Sequence, residues 1–462
     1  MIRETHLREA RQTVKLGLVK VVHDLFPDEA LQISYSILEG VFCGLDDSVL
    51  SVREVREIER RLRAWVADGA PIEDLGRADG YHRYRVGDVV APVLYPAQLD
   101  PARVEPFEIV PFSTGFIVDF GDVGRGSDRP LIPPVLLAEA FEANRRWLDT
   151  LRLELVADVN REIRARRGTK LINLAEALHE KEVAEIADRI LRQRRALRVL
   201  LVAGPSSSGK TTFTQRLSTQ LEVNGLRPVA LSLDDYFVDR ERTPRDAEGR
   251  LDFDRPDALD LPLLRSHVHR LVDGAPVEVP RFDFVSGLRL PATVPLQLSA
   301  SEILVIEGIH ALNPGILNHL PPGSAFKVYV SALGGLNIDL INRVPTTEIR
   351  LLRRLVRDDR TRGIGPEQTL AQWDSVRRGE YENVFRFQED ADVMFNTSML
   401  YELNALRALA EPVLARIPDD SPHRTTRDRL ANLLTFFEPI DTSTVPFTSI
   451  LREFIGGSSY DG

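Results

Sequence analysis

One stretch constrains this chain more than any other. Gly204-Pro-Ser-Ser-Ser-Gly209-Lys210-Thr211 satisfies the pattern G-x-x-x-x-G-K-[ST] at every required position. An apolar run, Val199-Leu-Leu-Val-Ala, precedes it, and a helical apolar period (Phe213, Leu217, Leu221) follows. Glycines let backbone N–H groups close around phosphate oxygens, and the start of a helix adds its positive end. The spacing predicts that Gly204, Ser206, Ser207, Ser208, Gly209, Lys210, Thr211 and Thr212 surround the phosphates of a nucleotide. Lys210 would reach the β- and γ-phosphates, and the Thr211 hydroxyl would ligate Mg²⁺. The plain alternative is a glycine-rich turn with no ligand.

Beyond Arg195 strands and helices alternate. Strands are expected at 198–203, 228–233, 302–306 and 326–331, and helices at 209–224, 258–273, 346–361 and 399–416. Such alternation indicates an α/β fold: a parallel sheet with helices on both faces. Before it, helical periods at 1–25, 51–68, 134–166 and 173–196 flank β-rich runs between Gly80 and Asp122. The expected division is therefore an α+β accessory domain (1–170), a linking helix (171–195), a P-loop domain (196–420) and a tail (421–462) packing on it.

A chain of 462 residues exceeds a single core, so more than one domain is expected. The net charge of −10 argues against a nucleic-acid partner, whose affinity would come from neutralising phosphates. The lone Cys43 permits no internal disulfide, and the charged first residues lack the apolar core of a signal peptide. With no apolar run long enough for a membrane span, a cytoplasmic location without membrane attachment is expected. A homo-oligomer is compatible with these features.

Two acidic groups follow predicted strands. Val229-Ala-Leu-Ser-Leu ends in Asp234-Asp235-Tyr236, and Ile303-Leu-Val-Ile ends in Glu307. Ligands of open α/β sheets bind beyond the carboxyl ends of the strands. One aspartate there could accept a hydroxyl proton, and Glu307 stands where P-loop enzymes hold Mg²⁺. Either carboxylate could instead cap a turn or be solvated. Arg350, Arg353, Arg354 and Arg357 recur on one helical face, followed by Arg360 and Arg362. Such a face suits an anionic transition state, although pairing with Asp358 and Asp359 would also explain it.

Together, Gly204–Thr211, Leu231-Ser-Leu-Asp-Asp-Tyr-Phe, Phe253-Asp-Arg-Pro-Asp-Ala-Leu-Asp260, Val279-Pro-Arg-Phe-Asp-Phe-Val and Ile306-Glu-Gly-Ile resemble the uridine kinase and phosphoribulokinase family. The run from Arg350 to Gly363 looks like that family's lid helix. Val376-Arg-Arg-Gly-Glu, Phe387-Gln-Glu-Asp-Ala-Asp and Arg452-Glu-Phe-Ile-Gly-Gly resemble a bacterial branch of nucleoside kinases that carries a threonyl-tRNA synthetase-like N-terminal region. Tyr35-Ser-Ile-Leu-Glu-Gly-Val-Phe-Cys and Val55-Arg-Glu-Ile-Glu-Arg-Arg-Leu look faintly like the synthetase's editing segment, without its paired metal-binding histidines.

The resemblance implies an ATP- and Mg²⁺-dependent kinase acting on a small-molecule hydroxyl, with a nucleoside the expected acceptor. It implies Asp234, Lys210 and Arg357 as catalytic residues and Arg362 as a nucleotide contact. Glu307 and Thr211 become the Mg²⁺-side residues, and Asp254, Phe282, Asp283, Arg289 and Arg354 the acceptor site. Two departures stand out. Uridine kinases read uracil with a Tyr and a His, where this sequence has Phe282 and Gly287; the arginine after their Arg-Gly pair is Ile364. A sugar or polyol kinase, or a nucleotide-gated regulatory protein, are the alternatives.

Overall fold

The computed structural model describes residues 2–37, 40–46, 48–121, 134–246, 249–283, 286–317, 320 and 323–460. Leu38, Glu39, Phe284 and Val285 of the stretches quoted above lie outside them. The chain forms two compact units, and neither is continuous. One comprises Met1–Ala165, Gly334–Glu348 and Thr425–Glu438; the other comprises Arg166–Leu333, Ile349–Arg424 and Pro439–Gly462.

The second unit carries the phosphate loop. Its sheet is built from β1 (Val199–Ala203), β2 (Arg227–Ser232), β3 (Glu302–Glu307), β4 (Ala325–Ser331) and β5 (Val393–Asn396). All neighbours pair in parallel, in the order β5-β4-β1-β3-β2. The chain leaves β1 for the far edge, returns through β3 and then crosses to β4, so the order reverses at β1. That switch point opens a crevice at the carboxyl end of β1, where the phosphate loop begins. The sheet is fully apolar along β1, as expected for a strand covered on both faces.

Helices α1 (Gly168–Gln193) and α2 (Lys210–Val223) supply part of that cover. Val183, Ile186, Ala187 and Ile190 of α1 share a core with Leu200, Val202, Phe213, Leu217, Val305 and Val328. The helix expected as a linker is thus part of the sheet's own core. Further elements are α3 (Leu261–Val272), α4 (Thr346–Arg357), α5 (Pro366–Asn383) and α6 (Glu402–Ala415). The expected strands and helices appear within a few residues, but β5 and α5 went unread in the sequence. β5 is only four residues long, and α5 has a weakly sided apolar pattern, so neither offers a strong periodic signal.

The other unit is α+β, with a four-stranded antiparallel sheet (Leu31–Ile37, Gly40–Leu45, Gly115–Asp119, Glu108–Phe112) and a three-stranded one (Ile72–Ala78, Tyr81–Val86, Val89–Val93). Helices Ile2–Leu25 and Val52–Asp68 pack Val14, Leu18, Val22, Val55, Ile58 and Leu62 onto the first sheet. Ser51 and Glu54 close a capping box that starts the second of these helices. The helix expected at 134–166 is interrupted: Arg152 takes a left-handed conformation (φ 56°) between Val135–Leu151 and Val156–Arg164.

Candidate active site

The loop between β1 and α2 is shaped by two left-handed residues, Ser207 (φ 58°) and Gly209 (φ 83°). Gly209 has a second reason to lack a side chain: a Cβ there would stand 2.5 Å from Ile450 Cγ2. Gly204 is likewise confined, since its Cβ would meet the Val330 carbonyl oxygen at 1.9 Å. The Ser207 and Ser208 hydroxyls are buried without hydrogen-bond partners among the described residues. Buried unpaired hydroxyls are costly, and in this loop they are donors available to a polyanion. Lys210 folds back so that Nζ donates to the Pro205 carbonyl at 3.0 Å.

Three carboxylates converge on that ammonium. Glu307 closes β3 in register with Val202 of β1 and Ser232 of β2. Asp234 follows β2 in a short 3-10 turn. Ser232 joins the two: its hydroxyl donates to Glu307 at 2.9 Å and accepts from the Asp234 backbone N–H at 3.3 Å. Burial lowers the Lys210 pKa, and Glu307, Asp234 and Glu453 oppose that shift. Burial raises the Asp234 carboxyl, against the pull of Lys210, Arg362 and Arg357. Glu307 is raised by burial and by Asp234 beside it. Two acids and a lysine therefore share a small space in which the carboxyl groups hold protons more tightly, and the ammonium less tightly, than in water. Asp235 points elsewhere, accepting from Arg281 at 2.9 Å.

The arginine helix divides into two groups. Arg350 and Arg353 are fully buried. Arg350 bonds Glu380 and donates to the Ser206 carbonyl at 3.0 Å, while Glu380 accepts from the Ser206 N–H at 2.8 Å. Arg353 is clamped by Glu402 and donates to the Thr397 carbonyl at 2.9 Å. These two buttress the phosphate loop from behind and face no solvent. Arg354, Arg357 and Arg362 instead gather around the buried Asp358, at 3.3, 3.0 and 3.9 Å. Arg354 also donates to the Ser206 hydroxyl at 3.0 Å. After Arg357 the helix loosens into a π turn, Asp358–Arg362, and stops at left-handed Gly363.

The expected acceptor residues are less uniform. Asp254 lies over Gly379 of α5, where a Cβ would stand 2.3 Å from its own. Burial and then Glu380 push its carboxyl up to about 8, with Arg354 opposing. Phe282 rests on Phe237 with ring centroids 5.5 Å apart, and Phe237 meets Phe253 at 5.9 Å. Asp283 accepts from the Ser286 N–H at 2.9 Å. Arg289 spends its guanidinium on Asp260 and the Tyr236 and Phe237 carbonyls, at 2.9–3.0 Å. That arrangement makes it a fastener of the loop after β2. Gly287 (φ 73°) lies against Arg240, whose Nε would be 2.5 Å from a Cβ there.

Sequence reasoning passed over four residues. Ser232, Glu380 and Glu402 gain meaning only from partners 30 to 75 positions away. Glu453 accepts from the Thr212 hydroxyl across 241 positions. Only Ser232, two residues before Asp234, offered a local hint.

A parallel sheet reversing at a strand that ends in a phosphate loop, with a lysine, two strand-end carboxylates and an arginine-bearing helix beyond it, defines a P-loop kinase. The family model for the phosphoribulokinase/uridine kinase family matches residues 199–401. The chain is 34% identical over 175 residues to a uridine kinase of Deinococcus deserti, covering 38% of this chain and 75% of that one. It is 30% identical over 176 residues to a uridine kinase of Lactobacillus helveticus, covering 38% and 74%. Among solved structures, D-glycerate 3-kinase from Cryptococcus neoformans aligns with a TM-score of 0.32 at 18% identity, covering 45% of this chain and 89% of that chain. The chain belongs to the phosphoribulokinase/uridine kinase family. It is an ATP-dependent kinase with a hydroxyl acceptor. The matched family region excludes Met1–Ala165, the longest segment of the other unit. Among the described residues no helix is long and apolar enough to cross a membrane.

Proposed function

We propose that the protein phosphorylates a hydroxyl of a nucleoside-like acceptor, using Mg²⁺–ATP. The observation that carries this reading is the linked set Lys210, Asp234, Ser232 and Glu307 at the carboxyl ends of β1, β2 and β3. The loop and Lys210 bind the β- and γ-phosphates, and the buried serine hydroxyls gain acceptors when phosphate arrives. Asp234 takes the acceptor's hydroxyl proton; burial, by raising its pKa, makes it a better base than a solvated aspartate. Arg354, Arg357 and Arg362 offset negative charge spreading over the transferred phosphoryl group.

The donor set fits Mg²⁺. Among the described residues no cluster of three His, Cys, Asp or Glu side chains forms a metal cage. Mg²⁺ is usually held by one or two carboxylates with phosphate oxygens and waters. Glu307 and the exposed Thr211 hydroxyl supply that kind of partial shell. When bound, the ion would neutralise phosphate charge.

For the acceptor, the relatives named uridine kinases favour a nucleoside. A second reading, a compact sugar or polyol, draws support from Phe282 and Gly287, which give no polar group to read a base. The test is a screen of purified protein and ATP against nucleosides, sugars and polyols for ADP release, with Lys210→Ala and Asp234→Asn alongside. Lys210→Ala should abolish turnover. Asp234→Asn should lower kcat by roughly two orders of magnitude or more with little change in ATP affinity. Weakened ATP binding with intact turnover in Asp234→Asn would place the base elsewhere.

A further inference from the structure

The N-terminal unit contains a cavity of ≈ 90 Å³ that the kinase chemistry does not use. Helix Ile2–Leu25, strands Leu31–Ile37, Gly40–Leu45 and Gly115–Asp119, and the segment Arg343–Pro345 contribute to its walls. Its floor is apolar, with Val14, Leu18, Ile33 and Val118. Its charged lining has one sign: Arg11, Lys15 and Arg343 line it, and no described carboxylate does.

A buried cation normally meets a carboxylate, because desolvation without a partner is expensive. Here the neighbouring acids are already engaged. Glu348, which faces Arg343, is held by Arg8 at 2.8 Å and Arg429 at 3.2 Å. Asp339, which faces Lys15, accepts from the Ile341 and Asn342 N–H groups at 3.0 and 2.8 Å. Among the described residues Lys15 itself donates only to the neutral Asn342 amide, at 3.1 Å. Burial lowers Lys15 to about 8 and Arg343 to about 10, so both cations are destabilised where they stand. Two further lining atoms lack partners among the described residues. They are Tyr95 Oη and Gln12 Oε1, on residues only 8% and 7% exposed.

We propose that this cavity binds a small organic carboxylate, its head between Lys15 and Arg343 with the Tyr95 hydroxyl as a further donor, and its short body on the apolar floor. The floor decides against inorganic phosphate, whose oxygens would meet Val14, Leu18 and Ile33 with nothing to donate to them. The single sign of the lining decides against a zwitterion, because an ammonium group would stand among three cations. Size sets the rest: at about 10–15 Å³ per water-sized group, the cavity admits roughly six to nine non-hydrogen atoms. A four-carbon acid fits that limit.

The test is isothermal titration of the full chain at pH 7 with butyrate, beside butanol, 2-aminobutyrate and inorganic phosphate. Butyrate should bind with a Kd on the order of 1 mM, a modest figure for so small a ligand. Arg343→Met and Lys15→Met should each weaken it at least tenfold, and Val41→Phe, which fills the cavity, should remove it. If Arg343→Met fails to fold, Lys15→Met and Val41→Phe decide the matter. Tighter binding of phosphate or 2-aminobutyrate, equal binding of butanol, undiminished binding in the variants, or no binding of butyrate would each overturn the proposal. Kinase activity is not part of this readout, so its failure leaves the catalytic reading untouched.

Discussion

Glu453 accepts a hydrogen bond from the Thr212 hydroxyl, Oγ1 to Oε2 3.1 Å, and so brings a carboxylate from the C-terminal segment to the phosphate loop. The same segment seats Ile450 against Gly209 and Phe454 beneath the Arg353 guanidinium, 4.8 Å from the ring centroid. This segment lies beyond the matched family region, which ends at residue 401. A negative group beside Lys210 opposes a polyphosphate unless a cation screens it. Glu453→Gln keeps an acceptor for Thr212 while removing the charge. Affinity for ATP in EDTA should therefore rise about fivefold, the equivalent of about 1 kcal/mol. Titration calorimetry with and without Mg²⁺ checks this, and weaker binding in EDTA would show that Glu453 supports the loop instead of repelling the ligand.

The buttress behind the loop predicts a stability effect. Arg353 and Glu402 are both buried, and removing one partner leaves an uncompensated charge. Glu402→Gln should cost about 3–5 kcal/mol in urea denaturation of the full chain. Arg353→Met combined with Glu402→Leu should recover most of that loss, since the pair's own desolvation disappears with it. A cost below about 1 kcal/mol for Glu402→Gln would mean that water reaches Arg353.

These two residues also show what the sequence could and could not carry. The positions of the phosphate loop, Asp234 and Glu307 at strand ends were legible because each follows an apolar strand, and ligands of open sheets bind beyond such ends. Arginine spacing put Arg350, Arg353, Arg354 and Arg357 on one face but could not say which of them meet anions. That choice depends on Glu380 and Glu402, which arrive from other elements of the chain. Glu453 and the discontinuous make-up of both units were invisible for the same reason. Periodicity reports local burial, whereas ion pairs and chain returns are set by tertiary packing. Arg289 misled differently: its place in a family motif suggested an acceptor contact, yet Asp260 and two carbonyls occupy its guanidinium.

Asp254 predicts a pH dependence. Burial raises its carboxyl from the ordinary carboxylate range to about 8, because the charged form is disfavoured there. The group is therefore neutral at pH 6.5 and ionises as pH rises through about 8. An ionised carboxylate accepts from two vicinal hydroxyls in charge-assisted bonds, whereas the neutral acid accepts less well. KM for the acceptor should fall severalfold between pH 6.5 and 8.5, with Asp254→Asn flat across that range. Initial-rate kinetics at saturating ATP measure it, and an unchanged slope in Asp254→Asn would assign the titration to another group.

The acceptor itself follows from what surrounds Phe282 and Gly287. A site that hydrogen-bonds a base edge discriminates strongly, because an analogue leaves buried polar groups unpaired. Phe282 offers only an aromatic ring, packed at a tilt against Phe237. Gly287 cannot be replaced by a base-reading side chain, because its φ of 73° strains any other residue and Arg240 fills the space a Cβ would take. Shape and stacking alone are worth about 1–3 kcal/mol of discrimination, roughly 10- to 200-fold. Uridine, cytidine and adenosine should therefore have kcat/KM values within that span if nucleosides are used. Asp254→Ala should raise KM sharply for every accepted substrate, because the hydroxyl pattern is the shared handle. Gly287→His should lower stability without creating a uracil preference. Efficient use of uridine and cytidine, with purine nucleosides and free sugars rejected by about four orders of magnitude, would sink this reading and place base-reading groups outside these two positions.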